Sequence, residues 1–168
     1  KVGTGGKIYL HNNQAYMPYV EKELLGRLKD NRLANVIRYD RETSELGLEK
    51  AQFDAIFFIL GYHDLYHKAK GWDIDKDNFL AQVIPAIKQG GQLVVVDHSA
   101  PKGSKTKYAQ ELHRIERQYV IDELTSLGLN LVKDSKLLKN KDDSLVISPF
   151  KPEIRRKTDR FVLVFEKP

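Results

Sequence analysis

The run FDAIFFILGYHDLYHKAKGWDIDKDNFLAQVIPAIKQGGQLVVVDHS, Phe53–Ser99, decides the fold. An apolar stretch, Ala55 to Leu60, stops at Gly61 and is followed by Tyr62-His63-Asp64. A loop with the only Trp, Trp72, leads to Phe79, Leu80, Val83, Ile84 and Ile87, which share one helical face. Asp75 suits the N-cap of that helix, Pro85 predicts a kink, and Gly90 or Gly91 predicts its end. A second apolar stretch, Leu93 to Val96, closes on Asp97-His98. Two short apolar strands joined by a helix read as a parallel crossover, with both strands buried on both faces. In open α/β sheets the ligand lies outside the carboxyl ends of the strands. Tyr62-His63-Asp64 and Asp97-His98 are therefore expected to face one crevice from neighbouring strands.

Outward from this centre, strands are expected at Lys7–Leu10, Asn35–Tyr39, Leu129–Val132 and Phe161–Phe165. Pro18 suits the first turn of a helix whose face carries Val20, Leu24, Leu25 and Leu28. Tyr108, Leu112, Ile115, Tyr119, Val120, Leu124 and Leu127 predict one long amphipathic helix ended by Gly128. The order is β-α-β-β-α-β-α-β-β. Its closing pair of strands predicts an antiparallel addition to a parallel sheet.

A chain of 168 residues, 41% hydrophobic and 30% charged, fits one soluble domain with a sizeable core. With no cysteine, it has no disulfide, thiol nucleophile or cysteine-held metal. No apolar run reaches the roughly 20 residues that span a bilayer, so no membrane partner is expected. The net charge of +5 is scattered, and its densest cluster, Lys151 to Arg160, reads as a solvated loop. No nucleic-acid partner is expected from it. The opening KVGTGG lacks a Met, so we expect that it is not the native start. The cytoplasm is the favoured compartment, with an exported protein that has lost its leader as the alternative.

The element order and the segments GKIYLHN (6–12), FDAIFFILGYHDLYH (53–67), NFLAQVIPAIKQGGQLVVVDHSA (78–100), ELHRIE (111–116) and KTDRFVLVFEKP (157–168) carry a resemblance. The chain resembles the class I S-adenosylmethionine-dependent methyltransferases, and more narrowly a bacterial family of predicted methyltransferases. The resemblance implies a Rossmann-like α/β fold, a mostly parallel sheet with a C-terminal antiparallel strand, over residues 1–168 as a single domain. It also implies S-adenosylmethionine as cofactor and a small-molecule methyl acceptor. The glycine-rich strand–turn–helix that opens the family fold has no counterpart here. In the family its strand lies between those at 7–10 and 55–60, which without it would stand about 10 Å apart. We expect a preceding segment, or a second chain, to complete the sheet.

By that resemblance, Asn12 and Asn13 stand where the cofactor ribose is bound, and Asp40 where the adenine is. Leu60, Gly61 and Tyr62 line the methyl-transfer position. His63, Asp64, Asp97 and His98 are the candidate catalytic residues, since His and Asp can take an acceptor proton. The plain alternatives are turn residues for Asn12, Asn13 and Asp40, and a strand-end hydrogen-bond network for the rest. A His63–His67 metal pair with Asp64 needs a continuous helix, which the Gly61-Tyr62 break argues against, so no metal is expected. His113 and Glu116, one helical turn apart, read as the polar edge of a packed helix, with a contribution to the acceptor pocket as the alternative. The alternatives to an enzyme are a catalytically inert binding or interaction domain of the same fold, or a different nucleotide-binding α/β enzyme.

Overall fold

Two parallel strands form the heart of the second part of the chain: β3 (Phe53–Ile59) and β6 (Ile87–His98), in register from Ala55↔Gln92 to Ile59↔Val96. The computed structural model describes every residue except 1 and 4. The chain divides into two compact units, Lys1–Gly47 and Leu48–Pro168.

In the first unit, β1 (Ile8–Asn12) pairs in parallel with β2 (Val36–Asp40). The helix α1 (Met17–Leu28) connects them, with Pro18 in its first turn as expected. Met17 and Leu24 are its buried residues, whereas Leu25 is exposed.

In the second unit, β3 leads through a small hairpin, β4 (Lys68–Ala69) and β5 (Trp72–Asp73), to α2 (Lys76–Ala86) and β6. Asp75 caps α2 by accepting from the Asn78 N–H at 3.0 Å. Phe79, Leu80, Val83 and Ala86 are buried, and Phe79 meets Phe58 of β3 edge-on at 5.8 Å. Beyond β6 come α3 (Ala109–Leu112), α4 (Arg117–Ser126), β7 (Asn130–Ser135) and β8 (Arg160–Glu166). The sheet order is β3-β6-β8-β7, with β8 antiparallel to both neighbours. Its core alternates: Leu93 and Val95 of β6, and Phe161, Leu163 and Phe165 of β8, are buried. Each such side chain contributes about 1.5–3 kcal/mol. No described helix is long and apolar enough to cross a membrane.

Three expectations are corrected. First, α2 ends at Ala86, short of Gly90 and Gly91, and Ile87 is already extended. Between Ile87↔Phe53 and Gln92↔Ala55, residues 88–91 bulge out of the ladder. Gly90 sits at φ +72°, and a Cβ on Gly91 would come within 2.9 Å of Ile87 Cγ2 and the Lys88 carbonyl oxygen. Second, β3 is not buried on both faces: Phe57 is 64% and Ile59 57% exposed. Among the described residues β3 has a ladder partner on one side only, β6, and β1 likewise pairs only with β2.

The third correction matters most. The long helix expected from Tyr108 to Leu127 breaks after Leu112. His113 takes a left-handed conformation at φ 49°. Ile115 then pairs with the end of the sheet, its N–H donating to the His98 carbonyl and its carbonyl accepting from the Ala100 N–H. Arg114 is fully buried. Its guanidinium donates to both Asp143 oxygens at 2.9 and 3.0 Å, and to the carbonyls of Ser99 and Ile147. A helical turn through 113–116 would forfeit that set of bonds, and unpaired buried charges cost far more than one lost helical turn.

Candidate active site

The carboxyl ends of β3 and β6 build one cluster. Leu60 leaves β3 in a left-handed conformation at φ 57°, costly for a leucine, while its N–H still donates to the Val96 carbonyl at 2.7 Å. Gly61 and Tyr62 then feed a single 3₁₀ turn, His63–Tyr66.

That turn presses His63 onto Asp97 at two points. The His63 backbone N–H donates to Asp97 Oδ2 at 2.9 Å, and the ring Nδ1–H donates to Oδ1 at 2.7 Å. Asp97 is fully buried and also accepts from the His98 N–H at 2.7 Å. Its charge is thus met by donors on all sides, the condition for burying a carboxylate. The other ring nitrogen, His63 Nε2, lies 3.2 Å from Asp64 Oδ1 and 3.2 Å from His113 Nδ1. Burial works against the His63 imidazolium, but Asp97 and Asp64 together outweigh it and raise the group to about 10. Burial likewise opposes the Asp64 carboxylate, yet His113 and His63 hold it well below the usual carboxylate range.

His98 is neutral by contrast. Burial, with help from nearby cationic groups, pushes it down to about 4 against the pull of Asp97, and its Nδ1 lies 2.8 Å from Thr158 Oγ1. Behind the cluster, the Tyr62 hydroxyl donates to Glu123 at 2.5 Å, the Tyr66 hydroxyl donates to the same carboxylate, and Lys76 pairs with it at 3.0 Å. Burial and Glu123 drive both phenols upward, so both stay protonated. Tyr62 is wholly buried in this network and presents no exposed surface to a ligand. The Trp72 indole N–H donates to the Asp64 carbonyl at 3.0 Å and fixes the loop from behind.

The sequence reading thus has His63, Asp64, Asp97 and His98 in one place. It missed His113. The break delivers that side chain to the cluster, its ring 5.2 Å from His63, 4.9 Å from His67 and 5.0 Å from Phe150. The regular 3–4 spacing of Leu112, Ile115 and Tyr119 conceals the break, and no Gly or Pro marks it. Glu116, the other half of that supposed helix edge, instead accepts the Gly103 and Lys105 N–H groups at 2.7 Å.

In the first unit, Asn12 and Asp40 are register partners at the ends of β1 and β2. Asn12 Nδ2 is buried and has no partner among the described residues. Asn13 caps the turn ahead of α1, its Oδ1 accepting from the Tyr16 N–H at 3.1 Å. Asp40 is exposed, ion-paired with Arg38, and borders an open recess with Gln14, Arg41, Glu42 and Gly47.

No family model matches the chain, and no curated protein matches it. Solved structures do. A SAM dependent methyltransferase from Aquifex aeolicus aligns over 98% of this chain and 70% of its own, at TM-score 0.63 and 17% identity. A protein of Bacillus halodurans C-125 proposed to be a methyltransferase aligns over 99% of this chain and 95% of its own, at TM-score 0.60 and 14% identity. The [4+2]-cyclase SpnF aligns over 97% of this chain and 75% of its own, at TM-score 0.55 and 10% identity. The chain has the Rossmann-like α/β fold of these methyltransferases. At such identities the likeness establishes fold alone, and SpnF bears a different reaction in its name.

Proposed function

We propose that this protein is an S-adenosylmethionine-dependent methyltransferase acting on a small-molecule acceptor. The observation that carries the reading is the convergence of His63, Asp64, Asp97 and His98 at the carboxyl ends of β3 and β6, in a fold shared with such enzymes. In the first unit, the unpartnered buried amide of Asn12 suits a ribose hydroxyl, and Asp40 beside its recess suits the adenine amino group. Asn13 contributes by fixing the turn through its cap. In the second unit, the backbone at Leu60 and Gly61, where the chain leaves the ladder in a left-handed turn, is the part offered to the methyl-bearing end, and the buried Tyr62 supports it from behind.

The cofactor supplies an activated methyl group on a sulfonium. The remaining work of the chain is to hold the acceptor in line and to exclude poor geometries. The Asp97–His63 pair is rigid and orients an oxygen or nitrogen acceptor through the hydrogen-bond donor that His63 presents, with Asp64 and His98 completing the polar wall.

Isothermal titration with S-adenosylmethionine or its demethylated product tests the first half. His63→Ala and Asp97→Ala test the second, with release of demethylated product measured across small hydroxyl and amine acceptors. We expect cofactor affinity to stay within a few fold and turnover to drop about 10²–10⁴-fold. A folded protein that binds neither cofactor form at millimolar concentration would be the inert binding domain instead.

A further inference from the structure

We propose that His63, Asp64 and His113 form a binding site for one divalent first-row transition-metal ion. Their ligand atoms make a triangle: His63 Nε2 to Asp64 Oδ1 3.2 Å, His63 Nε2 to His113 Nδ1 3.2 Å, and His113 Nδ1 to Asp64 Oδ1 3.6 Å. Bonds of about 2.0–2.1 Å in tetrahedral geometry place neighbouring ligand atoms about 3.3 Å apart. The triangle therefore has the size of one face of such a coordination sphere.

The surroundings are built in the same sense. Asp97 holds His63 Nδ1–H at 2.7 Å, which fixes the ring and leaves Nε2 as the nitrogen that a metal ion would take in place of its proton. A carboxylate behind a histidine is the usual support of a metal ligand. The proton on His63 Nε2 can serve only one of its two contacts, Asp64 Oδ1 or His113 Nδ1. A metal ion that displaces that proton meets all three ligand atoms at once. The site is also one-sided. His63 is nearly buried at 5% side-chain exposure, while Asp64 and His113 keep 21% and 25%. Three protein ligands with an open side describe a site that takes a water or a substrate atom as a further ligand, unlike a closed structural site. Two imidazoles and one carboxylate suit zinc, cobalt, manganese or iron(II), and are unlike the all-oxygen cages of calcium or magnesium.

This site differs from the His63–His67 pair that the sequence brings to mind. His67 is turned away, its Nδ1–H donating to the Gln110 carbonyl at 3.2 Å. The third ligand comes from residue 113, 50 positions on, and only because the chain breaks there. Metal binding stands independently of the methyltransferase reading. A role for the ion, holding and acidifying an acceptor oxygen, rests on that reading and would make His63 a ligand rather than a direct partner of the acceptor.

The test uses the full chain, free of any histidine tag and stripped with chelator, titrated with Co²⁺ and followed by its visible d–d absorption and by calorimetry. We expect one ion per chain, displaced by Zn²⁺. Asp64→Asn and His113→Asn should each weaken binding at least tenfold. Asparagine tolerates the left-handed backbone at residue 113, so that variant keeps the turn. Asp97→Asn should weaken binding about 10–100-fold through the supporting bond. X-ray absorption on the wild-type protein gives an answer that does not depend on variants folding, with two imidazoles in the first shell expected. Absence of stoichiometric Co²⁺ uptake, or uptake that survives both Asp64→Asn and His113→Asn, would overturn the proposal. Uptake of Co²⁺ by a chain that ignores S-adenosylmethionine would uphold the site while removing its role in methyl transfer.

Discussion

The two sets of strand ends are built on opposite plans. At the ends of β1 and β2, Asn12 keeps an amide donor unspent, and Asp40 is exposed with a surface ion pair worth at most about 1 kcal/mol. At the ends of β3 and β6, nearly every polar atom is spent: Asp97 holds three donors, Glu123 two phenols and a lysine, Arg114 four acceptor contacts. The first arrangement leaves capacity for a ligand to use. The second fixes its groups in advance, as chemistry requires when small displacements of reacting atoms are costly. Both clusters lie at the carboxyl ends of parallel strands, so fold position alone does not separate the proposed binding end from the proposed reactive one. The degree of internal satisfaction does.

The contrast can be broken from the rigid side. Arg114→Met removes the buried partner of Asp143 and the anchor beside His113. We expect a loss of about 3–5 kcal/mol by urea denaturation, because a buried carboxylate is left unpaired. A loss under about 1 kcal/mol would mean that the helix break is held by the backbone pairing of Ile115 alone. Gly91→Ala is the next step down. Its new Cβ collides with Ile87 and the Lys88 carbonyl, at an expected cost of about 1–3 kcal/mol in the same measurement, and with it the register of β6 against β3 shifts. The open side sharpens the comparison with the smallest effect. Asp40→Asn should change stability by no more than about 0.5 kcal/mol, as an exposed substitution does, yet weaken S-adenosylmethionine about tenfold if the carboxylate meets the adenine. A stability loss comparable to that of Arg114→Met would erase the distinction.

The parallel β3–β6 pair, the α2 stripe, the Asp75 cap and the antiparallel β8 were legible because each depends on local periodicity or on one residue's hydrogen-bonding habit. So was the meeting of His63, Asp64, Asp97 and His98, since strand direction alone carries side chains at two strand ends to one edge. What stayed hidden depends on partners remote in sequence. The break at His113 answers to Asp143 and Ile147, more than 28 residues away, while the local pattern from Tyr108 to Leu127 remains perfectly helical. The early start of β6 at Ile87 was hidden for a related reason. Ile87 fits a helical face as well as it fits a strand, and only pairing with Phe53 decides between them. The exposure of Phe57 and Ile59 lies beyond any reading of an apolar run, because burial belongs to what packs on a strand rather than to the strand itself.

The irregular segment between β7 and β8 carries a consequence of its own. Through Asp143 it grips Arg114 and the Asp159 N–H, and through Thr158 it meets His98. It behaves as an external clasp on the histidines, although it contributes none of them. A single protease nick between residues 136 and 157 would thus act as an off-switch: β3, β6 and β8 keep their ladder while the clasp opens and the histidines lose their spacing. Partial digestion is therefore expected to silence the site before it unravels the sheet, because the stretch with the least regular structure is the one that holds the histidines in place.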